Sequence, residues 1–314
     1  MRRHGAILTR VSAIEDAGEG VKRFTLRDPE GWDLPPARPG GHVDLYLPGG
    51  LTRTYSLCGD PAQRDRYVVA VKREAEGRGG SIRLHDAVSV GDEMHVGLPR
   101  GGVPLGPGFQ LFIAGGIGVT PFLSAAAALL AQGREDFHLH VASRGSPPLN
   151  DQIAPLLERD LATVHDTTKG ARPALADVIA RAPGEASLAC CGPLSMLDDV
   201  AAATEGWPAE RVHLERFVPP PLVPDPDARD YRLVLAKRGI ELDVPAGANM
   251  ADALAAAGVE VPVSCGGGIC GTCAVVYLEG QPLHRDRCLS QTERASRLMP
   301  CVAQSAGERL VLDL

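Results

Sequence analysis

The stretch Cys265-Gly266-Gly267-Gly268-Ile269-Cys270-Gly271-Thr272-Cys273 places three cysteines within nine residues. The chain has 314 residues and eight cysteines in all. Disulfides account for many cysteines in small secreted proteins, whereas clustered thiols in a chain of this length indicate metal binding in a reducing compartment. The sequence therefore predicts a metal centre around this stretch and a cytoplasmic protein.

The three clustered cysteines follow the spacing C-x4-C-x2-C, which is the plant-type pattern for a 2Fe–2S cluster and requires a fourth cysteine further along. Cys288 and Cys301 are the two candidates. Cys301 follows Pro300 and lies nearer the apolar run Leu310–Leu312, which favours a buried position. Cys288 follows the charged stretch His284-Arg285-Asp286-Arg287, which we expect to be solvated. The predicted metal ligands are Cys265, Cys270, Cys273 and Cys301.

The glycines of this stretch have a physical role around a cluster. A loop that wraps a cluster needs positive φ angles and must bring backbone N–H groups against the sulfurs, and residues without a Cβ allow both. A structural zinc site is the alternative, but such sites usually pair two C-x2-C knuckles and only one is present. We therefore expect iron and sulfide at this site.

Composition and charge exclude several other classes of protein. The chain is 44% hydrophobic and 23% charged, as is typical of a soluble globular protein. Its net charge of −7 argues against nucleic-acid binding. It has no run of eighteen apolar residues, and no apolar segment follows Met1-Arg2-Arg3-His4, so we expect neither a membrane span nor a signal peptide.

Three segments differ in their sequence pattern. Residues 1–104 hold short apolar or alternating runs between turns, which predicts an antiparallel β-barrel. Residues 105–224 alternate strands with helices, which predicts an α/β domain with a parallel sheet. The proline-rich stretch Pro219–Pro226, which spans the boundary at residue 224, is a predicted linker. Residues 225–314 read as a hairpin, a short helix and the cysteine loop.

Two segments of the first domain favour a phosphate and a flat ring. In Arg53-Thr54-Tyr55-Ser56 the guanidinium can bind a phosphate bidentately, the tyrosine can cover a ring face and the serine can hydrogen-bond a ring nitrogen. Alone, this segment is equally consistent with an edge strand that carries an exposed arginine. Gly77-Arg78-Gly79-Gly80-Ser81 precedes a predicted helix, where backbone amides form an anion site. Together the segments predict a bound flavin nucleotide.

The second domain carries a glycine turn, Gly115-Gly116-Ile117-Gly118-Val119-Thr120-Pro121, between a strand and a helix. It differs from the G-x-G-x-x-G fingerprint, and Ser143-Arg144 stand where an acidic residue would end the next strand. By itself it is weak evidence, and a plain strand-to-helix turn is the alternative. Cys191-Gly192-Pro193 follows an apolar run, in which Cys190 is expected to be a buried structural residue.

Taken in order, these motifs resemble those of the phthalate dioxygenase reductase and vanillate demethylase reductase family. The resemblance rests on R-x-Y-S, G-x-G-G-S, G-G-x-G-x-T-P, C-G-P, the ending Glu215-Arg216-Phe217, and Pro262–Cys273 with Pro300-Cys301. It spans nearly the whole chain and implies that residues 225–314 form a small α+β domain of the ferredoxin-like (β-grasp) type. One departure is Gly266-Gly267, where many relatives carry a polar pair, which changes the charge of the loop without touching the ligands.

The resemblance implies FMN, with FAD as the alternative, and NADH, with NADPH as the alternative, because Arg144 could meet a 2′-phosphate. It assigns to the flavin Arg53, Thr54, Tyr55, Ser56, Lys72, Gly79, Gly80 and Ser81. It assigns to the pyridine nucleotide Gly115, Gly116, Gly118, Val119, Thr120, Pro121, Ser143, Arg144, Cys191, Gly192 and Pro193. The residues it places at the reacting rings are Ser56, Cys191, Glu215 and Phe217.

These cofactors imply a direction of electron flow. NADH gives up two electrons as hydride and a 2Fe–2S cluster accepts one, so a flavin, which does both, must stand between them. We expect a monomeric NADH-dependent reductase that serves a separate Rieske-type oxygenase by transient docking through its ferredoxin domain. A haem monooxygenase is the alternative acceptor. A redox-sensing iron–sulfur flavoprotein is the alternative class.

Overall fold

The computed structural model describes residues 6–48, 51–76, 79–170, 173–217 and 225–314. The chain divides into two compact units, residues 1–217 and residues 218–314. The predicted proline linker lies outside the described residues except for Asp225 and Pro226. No helix in the described ranges has the length and apolar character needed to cross a membrane.

The first sheet has six strands in the order β4-β3-β6-β1-β2-β5, and every pairing in it is antiparallel. The strands are β1 (Ala6–Asp16), β2 (Val21–Arg27), β3 (His42–Tyr46), β4 (Thr52–Ser56), β5 (Tyr67–Lys72) and β6 (Glu93–Gly97). The two edges approach each other just past β4, where Leu57 bridges to Val69 of β5 and the Cys58 amide donates to the Val68 carbonyl at 2.9 Å. The predicted antiparallel barrel is thus confirmed, and R-x-Y-S lies on its edge strand.

Alternation along these strands explains the barrel core. Buried apolar side chains from every strand except β4 fill it, among them Val11, Phe24, Leu45, Val69 and Val96. Helix α1 (Gly80–Ala87) adds Leu84. The helix begins at Gly80 because Gly79 takes a left-handed φ of 77°, which turns the chain out of the preceding loop.

The second sheet is parallel throughout, in the order β11-β10-β7-β8-β9, as predicted. Its strands are β7 (Gln110–Gly115), β8 (Phe137–Ser143), β9 (Ala162–Asp166), β10 (Ser187–Cys191) and β11 (Val212–Glu215). Its helices are α2 (Thr120–Ala131), α3 (Asn150–Glu158), α4 (Leu175–Ala180) and α5 (Leu194–Ala203). Ligands of parallel sheets bind at the carboxyl ends of the strands, where the two glycine motifs of this domain lie.

The two sheets share a core within the first unit. Cys58 and Ala70 of the barrel belong to the same buried cluster as Phe112 and Phe122 of the parallel sheet and its helix α2. Cys58, which had no assigned role in the sequence, is a buried residue of this shared core, and burial raises its pKa to about 12.

The C-terminal unit is a mixed sheet in the order β13-β12-β16-β14-β15, with β12 and β16 parallel. Its strands are β12 (Tyr231–Leu235), β13 (Ile240–Val244), β14 (Val275–Leu283), β15 (Arg297–Leu298) and β16 (Gln304–Leu312). Its helices are α6 (Met250–Ala256) and α7 (Gln291–Arg294). This arrangement confirms the predicted ferredoxin-like α+β domain, and the cysteine loop connects α6 to β14.

Candidate active site and iron–sulfur centre

The fourth predicted ligand comes to the cysteine loop through the C-terminal sheet. Cys301 follows β15, and its Sγ lies 3.2 Å from the Sγ of Cys273. Both residues are buried, against Met299 and Val302. Cys288 is exposed, so the structure agrees with the burial on which the choice of Cys301 over Cys288 depended.

The remaining thiols touch the same group. A hydrogen bond with Cys265, and then burial, hold the pKa of Cys270 above its ordinary range. Cys265 also hydrogen-bonds Cys301. In the ranges that the structure describes, no three His, Cys, Asp or Glu side chains are spaced as ligands around a metal ion. The four thiols instead lie directly against one another, and a single connected group of four sulfurs is the donor set that a 2Fe–2S cluster requires.

The loop backbone also fits a cluster. The amides of Gly267 and Ile269 both donate to the Sγ of Cys265 at 3.4 Å. This geometry is reached because Gly266, Gly268 and Gly271 have φ angles of 63°, 68° and 77°. Amides that point at sulfur stabilise its negative charge. The expected positive φ angles and N–H···S contacts are both confirmed.

One expectation near the loop was wrong. The stretch that precedes Cys288 is not uniformly solvated, because the side chain of Asp286 is only 1% exposed. Its carboxylate pairs with Arg294 at 3.2 Å and accepts the Leu289 amide at 3.0 Å. The partner is eight residues away on the short helix α7, and charge pattern alone did not indicate that the helix returns to this loop.

In the barrel, the structure brings together the two segments predicted to bind a flavin phosphate. The side chain of Arg53 on β4 lies over Gly80 at the start of α1, so close that a Cβ on Gly80 would collide with it. The guanidinium donates to the Thr52 carbonyl at 2.7 Å. An arginine beside the N-terminal amides of a helix is a suitable anion site. Gly77 and Arg78 of the same motif lie outside the described residues.

The other predicted flavin residues have protein partners as well. The hydroxyl of Thr54 donates to the buried carboxylate of Asp44 on β3 at 2.6 Å, and Arg100 pairs with the same carboxylate at 2.8 Å. Sequence reasoning missed this network, which fixes the edge strand. Lys72 pairs with the exposed Glu74 at 2.7 Å, and the Ser81 hydroxyl accepts the Glu74 amide at 3.0 Å. The tyrosine of the motif packs partly buried against the barrel core.

In the parallel sheet, the glycine turn and C-G-P pack directly against each other. A Cβ on Gly118 would collide with the Cys191 carbonyl, and a Cβ on Gly115 would lie 2.5 Å from Cδ of Pro193. Gly192 is similarly confined, with Met196 Sδ at 2.7 Å from its Cβ position. Only glycine allows the two strand ends to approach in this way. Their backbones therefore form one surface at the carboxyl edge of β7 and β10.

The predicted turn is partly helical. Gly116–Val119 form a 3-10 turn, and α2 already begins at Thr120. Thr120 donates its hydroxyl to the Ile117 carbonyl at 3.1 Å and is buried, as are Val119 and Pro121. Val119, Thr120 and Pro121 therefore support the turn from the protein interior. Gly116, with φ 53°, is partly exposed.

The next strand end carries an acid that sequence reasoning missed. Ser143, the last residue of β8, pairs in register with Asp166, the last residue of β9. The carboxylate of Asp166 accepts the amide of Gly145 at 3.0 Å, and hydrogen bonds from Thr168 and Gly145 lower its pKa to about 2. Arg144 is exposed beside it. The acidic residue therefore ends β9, whereas the dinucleotide-binding fingerprint places one at the end of β8.

Ser56, Cys191 and Glu215 meet where the barrel and the parallel sheet adjoin. Cys191 and Glu215 are register partners on β10 and β11, and the Ser56 hydroxyl donates to Oε1 of Glu215 at 3.4 Å. Burial raises the pKa of Glu215 to about 7, and burial together with Glu215 raises that of the Cys191 thiol well above its usual range. Phe217 lies two residues beyond β11 and is 37% exposed.

Cys190 is separate from this group. It points to the opposite face of the sheet, into the core formed with α4 and α5, and burial raises its pKa to about 12. The expectation that it is a buried structural residue is confirmed.

Comparison with protein families first defines the class. Residues 233–305 match the model of the 2Fe-2S iron-sulfur cluster binding domain. The range includes Cys265, Cys270, Cys273 and Cys301. The protein therefore belongs to the class that carries a C-terminal 2Fe–2S domain, which here follows a barrel and a parallel sheet along the chain.

Whole-chain relatives then define the family. The reductase subunit of tert-butanol monooxygenase / tert-amyl alcohol desaturase from Aquincola tertiaricarbonis is 38% identical and covers 98% of this chain and 96% of its own. Phthalate dioxygenase reductase from Burkholderia cepacia is 35% identical and covers 99% of this chain and 98% of its own. A solved phthalate dioxygenase reductase superposes with a TM-score of 0.76, at 34% identity, over 99% of this chain and 98% of that one. The chain belongs to the phthalate dioxygenase reductase family.

A haem-containing relative is also similar. An intact type IV self-sufficient cytochrome P450 monooxygenase superposes with a TM-score of 0.81 at 34% identity. The match covers 98% of this chain but 41% of that one. The same succession of domains thus also occurs within a longer haem enzyme.

Proposed function

We propose that this protein is an NADH-dependent oxygenase reductase that carries FMN and a 2Fe–2S cluster and delivers electrons to a separate Rieske-type oxygenase. The observation that carries the proposal is the presence in one chain of two separate groups of side chains, each suited to a redox cofactor. One is the Ser56, Cys191 and Glu215 group between the barrel and the parallel sheet. The other is the group of four thiols in the C-terminal unit.

The cofactors supply the redox chemistry when bound: the flavin exchanges hydride for single electrons, and the cluster carries one electron at a time. The protein supplies position. Arg53 and the amides at Gly79 and Gly80 hold phosphate, and the tight backbone at Gly118 and Cys191 forms a floor at the strand ends. Ser56 presents a hydroxyl oriented by Glu215. We assign to the flavin and the nucleotide the full sets of residues that the family motifs indicated.

We propose NADH over NADPH on the evidence of Asp166. A carboxylate with a pKa near 2 is ionised at all working pH values, and at the end of β9 it favours a ribose hydroxyl over a 2′-phosphate. Arg144, and Lys169, which pairs with Asp166 at 3.6 Å, are the groups that would favour NADPH. The test compares kcat/KM for both nucleotides. Asp166→Asn should lower the ratio of kcat/KM with NADH to kcat/KM with NADPH, and Arg144→Gln should raise this ratio.

Three lesser parts of the proposal follow the same family pattern. The flavin is FMN, because the relatives that share the C-terminal ferredoxin domain usually carry it. The domains are residues 1–104, 105–224 and 225–314, consistent with three sheets whose strands end at Gly97, Glu215 and Leu312. The protein works in the cytoplasm as a monomer that contacts the oxygenase transiently. Flavin extraction with mass spectrometry tests the first of these, and sedimentation velocity tests the oligomeric state.

The similar proteins support an oxygenase as the acceptor, since they include the reductase subunit of a monooxygenase and a phthalate dioxygenase reductase. The similarity to a self-sufficient cytochrome P450 supports a haem monooxygenase as the second candidate. Reconstitution separates the two. Product formation with a Rieske oxygenase component but not with a P450 supports the first proposal, and the reverse result supports the second.

The core of the proposal is tested by anaerobic addition of NADH to the purified holoprotein. We expect bleaching of both the flavin and the iron–sulfur absorbance. If NADH leaves both spectra unchanged, the protein is not a reductase of this type.

A further inference from the structure

A short segment beside the cysteine loop, residues 284–288, lies directly against it. The amide of Arg287 donates to the Gly268 carbonyl at 2.9 Å. A Cβ on Gly268 would lie only 2.8 Å from the Cα of Asp286, so the two backbones are in close contact. The exposed Cys288 receives a backbone hydrogen bond from Gly271. This segment therefore forms part of the surface around the proposed cluster.

The buried residue Asp286 holds this segment in place through its contacts with Arg294. The carboxylate of Asp286, 1% exposed, pairs with Arg294, whose Nη2 also donates to the Asp286 carbonyl at 2.5 Å. A buried charge persists only where it is paired, and removing its partner is strongly destabilising. Arg285 and Arg287, on either side of Asp286, consequently project from an anchored backbone.

These two arginines present positive charge at the protein surface. Arg287 is exposed and Arg285 is partly exposed, and neither makes a side-chain hydrogen bond or ion pair with any residue that the structure describes. Two other exposed arginines of the unit are paired, Arg232 with Glu241 and Asp243, and Arg309 with Glu279. The loop Cys265–Cys273 itself carries no charged residue.

The local charge is opposite in sign to that of the unit. Residues 225–314 contain twelve acidic and nine basic side chains, a net charge of −3. Two unpaired cations beside the cysteine loop therefore form a positive rim on a negative domain. Such a local reversal selects and orients a partner of complementary charge during encounter.

Resting on the proposed function, we propose that Arg285 and Arg287 form the docking rim for the electron acceptor, and that the matching surface of the acceptor is acidic. The partner is thus an oxygenase component with carboxylates around its point of electron entry.

The test uses two probe acceptors of opposite charge on the holoprotein, acidic cytochrome b5 and basic cytochrome c. In both, one NADH reduces two ferric haems to ferrous and yields NAD⁺ and one proton, so the reaction is the same and the surface charge differs. The variant is Arg285→Gln with Arg287→Gln. The matched control is Arg229→Gln with Arg238→Gln, which removes two exposed charges near β12 and its turn to β13, at the opposite edge of the sheet from β14 and β15.

At low ionic strength the rim variant should reduce cytochrome b5 about three- to tenfold more slowly than the unchanged protein. It should reduce cytochrome c faster, because the two arginines no longer repel this basic protein. Titration calorimetry of the oxidised holoprotein with cytochrome b5 should show weaker binding for the rim variant and a smaller loss of affinity with added salt. The control should behave like the unchanged protein with both probes.

Opposite effects on the two probes separate docking from damage, since a misfolded domain would slow both reactions. Equal effects on the two probes, or the same effects in the control variant, would overturn the docking rim. Failure of NADH to bleach the cofactors at all would instead overturn the proposed function.

Discussion

The cysteine loop and the edge around Cys191 are built in different ways. The loop draws three of its four thiols and its N–H···S donors from nine consecutive residues, and only Cys301 comes from afar. At the Cys191 edge, Ser56 and Glu215 are 159 residues apart and lie in different sheets. The first site therefore depends on local backbone geometry, and the second depends on the packing of the barrel against the parallel sheet. Substitutions should separate these two dependencies.

The largest expected effect is that of replacing Cys301, the one predicted cluster ligand that lies outside the cysteine loop. Cys301→Ser should lose nearly all of the cluster, because it removes a buried thiol in contact with two others. The matched variant Cys288→Ser removes an exposed thiol and should keep its cluster. Iron and acid-labile sulfide analysis with visible spectroscopy measures both, and flavin content should be unchanged in each. Retention in the first variant with loss in the second would reverse the ligand assignment.

A substitution at the Cys191 edge should instead disturb the first unit. In Gly118→Ala the new methyl group meets the Cys191 carbonyl, and overpacking of this kind destabilises by about 1–3 kcal/mol. We also expect a raised KM for NADH, since the strand ends must separate. Gly184→Ala is the control, because its Cβ position has no neighbour within 4 Å. Urea unfolding and steady-state kinetics measure the two effects; equal behaviour of the variants would contradict the close approach.

The buried carboxyl at the same edge should make stability depend on pH. The pKa of Glu215 is raised from 4.5 to about 7, so the folded state binds the extra proton between these values. Stability of the first unit should therefore fall as pH rises through this window, by up to about 1.4 kcal/mol per pH unit, and level off above pH 7. Glu215→Gln should remove this contribution.

The hydroxyl of Ser56 provides the internal control for that prediction. Its hydrogen bond lowers the Glu215 pKa, so Ser56→Ala should move the upper end of the pH window to higher pH. Urea unfolding followed by flavin fluorescence between pH 4 and pH 9 measures all three proteins. An unaltered pH profile in Glu215→Gln would show that this carboxyl is not the titrating group.

The smallest effect is a difference in labelling rates among the thiols outside the cluster. Cys288 is exposed, whereas Cys58, Cys190 and Cys191 are buried. Iodoacetamide should therefore modify Cys288 first in the folded protein. Peptide mass spectrometry at short times gives the order, and early modification of Cys191 would contradict its burial.

Sequence predicted best what is encoded locally. The spacing from Cys265 to Cys273 and its glycines indicated ligands, positive φ angles and N–H···S contacts. Short apolar runs between turns indicated the barrel, and the alternation of strands with helices indicated the parallel sheet. Contacts between residues that are far apart in the sequence could not be predicted in this way. The burial of Asp286 depends on the return of α7, and the support of Thr54 by Asp44 depends on the pairing of β3 with β4. The family motifs named Ser56 and Glu215 separately, but only the packing of two sheets joins them.

The central claim is that flavin stands between NADH and the cluster in one chain. Its most direct test removes the flavin and measures reduction of the cluster by low-temperature electron paramagnetic resonance. NADH should leave the cluster of the flavin-free protein oxidised, dithionite should still reduce it, and added FMN should restore reduction by NADH. Reduction of the cluster by NADH without flavin would contradict the account.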